Sequence, residues 1–179
     1  NQQKVVDYLN GKTQFRYLGS NCDLTFNTNG RICINSDGKT NMPSGEVYTA
    51  PEDHSMNGWV KYTLPSLYMG ETVNEIELEI KDGYIEKWKS KDNTEFLNKI
   101  FEVPGARRFG EAAIGTNYKI QQITRNILFD EKIGGTIHLA IGDAYKQCNG
   151  INESTVHWDM ITDMNEGEIY ADGELCYKN

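Results

Sequence analysis

Two stretches of this sequence carry side chains with chemistry of their own. Thr155-Val156-His157-Trp158-Asp159-Met160 sets an imidazole and a carboxylate two residues apart in a β-branched and aromatic run. On a strand, positions i and i+2 leave the same face, so His157 and Asp159 project together. Thr136-Ile137-His138-Leu139-Ala140-Ile141 places a second histidine in another apolar run, closed by Gly142 and preceded by Asp130-Glu131. Two strands bearing His and His-x-Asp, with acids nearby, offer a ligand set for a divalent metal. The plainer alternative is two packed strand histidines with satisfied rings, and His-x-Asp is short enough to arise by chance.

Two further acids stand apart from the ordinary surface charge. Glu46, in Pro43-Ser44-Gly45-Glu46-Val47, sits at the mouth of a strand, where functional side chains concentrate, although a solvated turn also suits it. Glu111, in Phe109-Gly110-Glu111-Ala112-Ala113-Ile114-Gly115, lies among small residues. A carboxylate buried there needs a cation, a metal or a donor. Glu75, Glu77 and Glu79 are different: they alternate with Ile76, Leu78 and Ile80 and read as the wet face of a strand.

The elements that must position these groups are short. Residues 3–10 suit a helix stopped by Gly11. Gln14–Leu18, Asp23–Phe26, Arg31–Ile34, Gly58–Leu64, Glu75–Ile80 and Tyr84–Lys89 read as strands separated by turn residues, among them Asn29-Gly30, Asp37-Gly38 and Asp82-Gly83. Asp92–Phe101 has caps and helical spacing, and Ile120–Phe129 is expected to be helical. Gly142–Asn152 is a loop carrying Tyr145, and Glu168–Tyr177 is a hairpin turning at Asp172-Gly173. About ten strands and two or three helices predict an α+β fold with a mainly antiparallel core, barrel-like or a twisted sheet.

Composition limits the classes of function. The chain has 179 residues, enough for one domain with a sizeable core, and a net charge of −8 argues against a phosphate-backbone footprint. No apolar run approaches the ~20 residues of a membrane span. Neither an initiator Met nor a secretory leader precedes Asn1, so the chain reads as a piece of a longer protein. Cys22, Cys33, Cys148 and Cys176 are scattered; free thiols in a cytoplasmic protein are expected, although an even count permits two disulfides.

Four motifs in order give a more specific signal: Pro43-Ser44-Gly45-Glu46-Val47, Gly110-Glu111-Ala112-Ala113-Ile114-Gly115-Thr116-Asn117, Leu128-Phe129-Asp130-Glu131-Lys132-Ile133-Gly134-Gly135-Thr136-Ile137-His138, and His157-Trp158-Asp159-Met160. Together they resemble the C-terminal catalytic domain of the aminopeptidase T / aminopeptidase S family of metalloaminopeptidases, over roughly residues 5–177. The resemblance implies one metallopeptidase domain over 1–179, without the N-terminal domain of the family. It implies removal of N-terminal residues from peptides, two divalent ions (zinc, cobalt, manganese or magnesium) and a homodimer in the full-length enzyme. As metal ligands it implies Glu46, Glu111, Glu131, His138, His157 and Asp159. Tyr145 matches the active-site tyrosine, placed to stabilise the developing oxyanion, and Glu111 or Glu131 would pass the proton to the leaving amine. The loop after Tyr145, Lys146-Gln147-Cys148-Asn149-Gly150, departs from the Pro-Glu of the family pattern, so specificity does not carry over.

Two other classes of function compete. One is an inactive metal-binding or dimerisation fragment that needs the missing domain. The other is a β-rich carbohydrate-binding module using Tyr48, Trp59, Tyr62, Tyr68 and Trp88, although strand aromatics are more often core. His54 reads as a surface loop residue, Arg107-Arg108 as structural ion-pair partners of nearby acids, with a substrate carboxylate as the alternative, and Trp158 as packing turned away from the metal face.

Overall fold

Alternating apolar residues bury one side of strands such as Gln14–Gly19, Cys22–Asn27 and Glu77–Lys81, and a computed structural model, describing residues 2–39 and 42–178, shows how those sides meet. In chain order the strands are β1 (Gln14–Gly19), β2 (Cys22–Asn27), β3 (Ile34–Ser36), β4 (Glu46–Thr49), β5 (Asn57–Lys61), β6 (Ser66–Tyr68), β7 (Glu71–Val73), β8 (Glu77–Lys81), β9 (Tyr84–Lys89), β10 (Phe109–Gly115), β11 (Thr136–Gly142), β12 (His157–Asp163), β13 (Glu168–Ala171) and β14 (Glu174–Lys178). The helices are α1 (Gln2–Leu9), α2 (Thr94–Phe101) and α3 (Ile127–Asp130). The fold is α+β and mainly antiparallel, as expected. It forms open sheets and no closed barrel: one of seven strands in the order β14-β13-β1-β2-β5-β8-β9, one of five in the order β12-β11-β10-β4-β3, and a β6-β7 ribbon.

The two large sheets share one core. Leu24, Phe26, Val60 and Leu78 from the first join Ile137, Leu139, Trp158 and Met160 from the second in a single buried cluster. Burial of this apolar surface is the main stabilising term. Trp158 turns away from the neighbouring His157 and Asp159, as expected, and stacks on Tyr68 with centroids 5.3 Å apart. Among the described residues no helix is long and apolar enough to cross a membrane.

Several expectations need correction. Residues 120–126 are not helical; only Ile127–Asp130 forms α3. The Asp130 carboxylate accepts from the backbone N–H groups of Thr124 and Arg125 and from the Thr124 hydroxyl. Asn126 caps the N–H of Leu128. These local bonds offer the backbone an alternative to helix and delay its start. The strand expected at Arg31–Ile34 is displaced to Ile34–Ser36: the Cys33 N–H is taken by Asn10 Oδ1 and the Ile32 N–H by the Cys148 carbonyl. Arg107 and Arg108 are held by carbonyls, not carboxylates. Arg107 donates to the Ile85 oxygen and lies over the rings of Tyr84 and Trp88, while Arg108 donates to the Asp53 oxygen. All four cysteines are free, as expected.

The aromatic residues of the carbohydrate-platform reading do not share a surface. Tyr62 is fully buried, Tyr68 stacks on Trp158, and Trp88 packs on Phe101. His54 is exposed in its loop, as expected.

Candidate metal centre

One face of the five-stranded sheet carries the candidate ligands, and strand register explains why. Glu111 on β10 pairs with Ala140 on β11, and Ala140 pairs with Asp159 on β12. His138 precedes Ala140 by two residues and His157 precedes Asp159 by two, so all four candidate side chains share that face. Glu46 opens β4 opposite Gly115. The alternate residues Ala112, Leu139, Met160 and Trp158 point into the core. The same face carries the small residues Ala113, Gly115, Ala140 and Gly142 beside the candidate ligands. Gly142 has φ +92°, and a Cβ there would lie 2.0 Å from the Val156 carbonyl oxygen. The end of β11, pressed against the Val156 backbone at positive φ, therefore requires glycine.

Glu131 arrives from outside the sheet, at the end of α3. Glu46 is fixed by its flanks. Gly45, at φ +134°, would bring a Cβ to within 2.4 Å of the Asn117 Cβ. The Glu46 carbonyl accepts from Gln2 Nε2 at 2.7 Å, so α1 braces the start of β4.

The groups converge closely. His138 Nε2 lies 3.3 Å from Glu46 and 3.4 Å from Glu111, and His157 Nε2 lies 3.5 Å from Glu111 and 3.7 Å from Asp159. Ligand atoms of Glu46, Glu131 and His138, and separately of Glu111, His138 and Asp159, lie within 4.8 Å of one another. The six residues named from sequence are thus brought to one place. Tyr145 borders the same cleft, of about 470 Å³, together with Tyr48, Glu46, Glu131 and Asp159. Its ring packs on His157 with centroids 4.8 Å apart and on Tyr48 at 5.5 Å.

Orphaned polar atoms test whether a cation fits. Both ring nitrogens of His138, Nε2 of His157 and Oδ1 of Asp159 are buried without a hydrogen-bond partner among the described residues. Buried polar atoms are normally partnered, so such a group needs an account. His157 donates from Nδ1 to the Asp143 carbonyl at 2.8 Å, which fixes its ring and aims Nε2 at the acids. Four carboxylates and two imidazoles suit hard or borderline divalent ions. The residues fit such a group.

Electrostatics divide the acids. Burial alone would raise Glu46, but His138 and Lys132 outweigh it and bring it down to about 2. Burial likewise opposes ionisation of Glu111, and its contacts with His138 and His157 hold it below the ordinary carboxylate range. Burial raises Glu131. Burial, with the charge of Glu111, carries Asp159 up to about 7. His157 is pushed down by burial, yet Glu111 and Asp159 raise it to about 9. Burial and then the neighbouring acids push the Tyr145 hydroxyl well above its ordinary value, so it stays a donor.

Sequence reasoning passed over Lys132. It is fully buried, its Nζ lies 3.1 Å from Glu46, and it contacts Glu131 directly. A lysine beside an acid and before Ile133-Gly134-Gly135 reads as a solvated turn. Only the fold brings Glu46 to it. The one signal available was a lysine inside the motif run itself.

Similarity to known proteins bears on this geometry. A family model described as thermophilic metalloprotease (M29) matches residues 1–175. The chain is 28% identical to aminopeptidase 2 of Geobacillus stearothermophilus over 96% of its own length and 49% of that protein. It is 31% identical to aminopeptidase AmpS of Bacillus subtilis over 97% of its own length and 50% of that one. The solved structure of wild-type AmpT from Thermus thermophilus superposes with a TM-score of 0.83 at 26% identity, covering 97% of this chain and 50% of that one. The chain thus spans about half the length of the curated relatives it matches.

Proposed function

The chain belongs to the M29 family of metalloproteases, and on that premise we propose that it is the metal-dependent catalytic part of an aminopeptidase that releases N-terminal amino acids from peptides. One observation carries the proposal. Glu46, Glu111, Glu131, His138, His157 and Asp159 come from distant parts of the chain, yet meet at one cleft, where His138 Nδ1 and Nε2, His157 Nε2 and Asp159 Oδ1 are buried without partners. In this reading the six hold two divalent ions (zinc, cobalt, manganese or magnesium), which when bound supply Lewis acidity and an activated water.

The chain's own residues do the rest. The His157 ring, anchored by the Asp143 carbonyl, keeps Nε2 toward Glu111 and Asp159. The acids give the cleft a negative field that favours the free α-ammonium of a peptide. Tyr145, protonated and packed between Tyr48 and His157, donates its hydroxyl to the oxygen that gains charge at the scissile carbonyl. Glu111 or Glu131 passes the proton to the departing amine. Free, largely buried thiols support a cytoplasmic setting, and we expect the full-length enzyme to act on peptides with a free N-terminus as a homodimer.

The test is metal content of protein purified without chelator, together with release of free amino acid from a leucyl peptide in added zinc, cobalt or manganese. Bound metal that is lost in His157→Ala, with turnover that follows it, is expected. No metal in the wild type, or equal metal in His157→Ala, overturns the reading. Because the chain covers half of its relatives, metal binding without turnover supports a second reading, a metal-binding or dimerisation segment that works only with the rest of the enzyme.

A further inference from the structure

Lys132 is the one ammonium built into the ligand cluster among the described residues, and it is placed off-centre. Its Nζ contacts Glu131 and lies 3.1 Å from Glu46 Oε1, with the side chain wholly buried. It makes no such contact with Glu111, His157 or Asp159. Its backbone is fixed as well: the N–H donates to the Phe129 carbonyl, and its own carbonyl accepts from Asn117. The ammonium is therefore held where it is and does not wander in from solvent.

The cluster divides along the same line. Glu46, Glu131 and His138 form one group of three candidate ligands, and Glu111, His138 and Asp159 form another. A single ring nitrogen serves one ion at a time. With His138 given to the first group, His157 completes the second, since its Nε2 faces both Glu111 and Asp159. Two of the three members of the first group are already paired with Lys132, and none of the second.

We propose that Lys132 is an internal counter-cation that makes the two halves of the centre unequal. The half built from Glu111, Asp159 and His157 takes a divalent cation first and holds it tightly. The half built from Glu46, Glu131 and His138 takes one only against the fixed positive charge of Lys132, and holds it weakly. The charge count agrees. Four carboxylates and one ammonium sum to −3 with neutral imidazoles, so the first divalent ion leaves −1 and the second +1. Before any ion binds, the same ammonium offsets two buried carboxylates whose isolation would be costly. Lys132 is thus a positioning residue that holds the two acids together and sets the order of loading. The proposal rests on the two-cation reading given above.

The experiment is calorimetric titration of the metal-free chain with zinc, which reads stoichiometry and affinity with no need for turnover. The wild type should show two classes of one ion each, separated by at least about tenfold. Lys132→Met should keep two ions and tighten the weaker class by about tenfold or more, closing the gap. Lys132→Arg, which keeps the charge, should keep the split. Glu131→Gln should abolish the weaker class alone, and Asp159→Asn the tighter one. The two acid variants decide the matter even if Lys132→Met fails to fold. Two equal classes in the wild type, a Lys132→Met variant whose weaker class is unchanged or weaker still, or loss of the tighter class in Glu131→Gln each overturn the proposal. Failure to bind zinc at all overturns the two-cation reading itself, and with it this one. Two equal tight ions overturn only the role of Lys132.

Discussion

Glu111 and Asp159 stand on opposite sides of Ala140, each paired with it in register across the five-stranded sheet. The two carboxylates are held apart by one strand and aimed from the same face, with only a methyl group between them. Ala140 itself is fully buried. The gap that a cation would occupy is therefore set by the smallness of a residue that donates nothing.

That relationship makes Ala140→Leu informative. The added carbons would fill the space between the two acids without removing a ligand. Overpacking a tight site costs about 1–3 kcal/mol, so the protein should stay folded with a lowered melting temperature. Metal stoichiometry should fall by at least one ion, as measured by elemental analysis after dialysis. A variant that keeps full metal content would show that cations do not sit beside Ala140.

The metal-free protein should have a stability that declines with rising pH. Asp159 binds its proton up to about 7 in the fold, because burial and then Glu111 disfavour its charge, against an ordinary 3.8. Between those values the folded chain holds a proton that the unfolded chain has lost, so stability falls as pH rises. His157 is held protonated to about 9, against an ordinary 6.5, by Glu111 and Asp159 acting over the opposing cost of burial. Its contribution is complete below 6.5 and is lost as pH rises through about 9. Glu46 acts in the opposite sense, contributing above 4.5 and losing that contribution only as pH falls toward about 2. Melting curves of chelator-treated protein should show His157→Gln losing the alkaline part of the decline and Asp159→Asn the acidic part. Parallel curves for wild type and both variants would contradict these assignments.

Tyr145→Phe separates binding from catalysis. The hydroxyl is not among the candidate ligands, and its ring packing on Tyr48 and His157 survives the change. Metal content and melting temperature should match the wild type. Loss of one preorganised oxyanion donor typically lowers kcat about 10²–10³-fold, and that is the expected loss on a leucyl peptide. A Tyr145→Phe enzyme as fast as the wild type removes the oxyanion role and leaves the metal centre untouched.

Much of this site was legible in the sequence because it rests on strand periodicity. His157, Trp158 and Asp159 alternate, and alternation alone sends the first and third to one face and the indole to the core. Glu111 among small residues signalled a buried acid in want of a partner, and the structure gives it two imidazoles. What could not be read was long-range. The burial of Lys132 depends on Glu46, a residue from another strand. The β6–β7 ribbon turns at Met69 and Gly70, both at positive φ, and Met-Gly carries no turn signal of its own. Apolar spacing over residues 120–129 suggested a helix, but spacing does not reveal that a carboxylate at the far end will claim the first backbone donors.

Asp130 is that carboxylate, and it provides the last test. It is buried and accepts three hydrogen bonds, from the Thr124 N–H, the Thr124 hydroxyl and the Arg125 N–H, each at 2.8 Å. Arg125 sits at φ 60°, a strained backbone that these bonds hold in place. Asp130→Ala removes the acceptor and hands three donors of the exposed residues Thr124 and Arg125 to water, so the cost is the net worth of the bonds, about 1 kcal/mol each. The loss should be local, because the sheet and its core do not depend on this turn. Amide hydrogen exchange should accelerate across 124–131 while β10, β11 and β12 stay protected. Glu131 follows Asp130 directly, so the looser turn should also release that candidate ligand: zinc binding should weaken in the proposed half that contains Glu46 and Glu131 and hold in the one that contains Glu111 and Asp159. Equal weakening in both halves would mean that Asp130 supports the whole sheet and not one ligand.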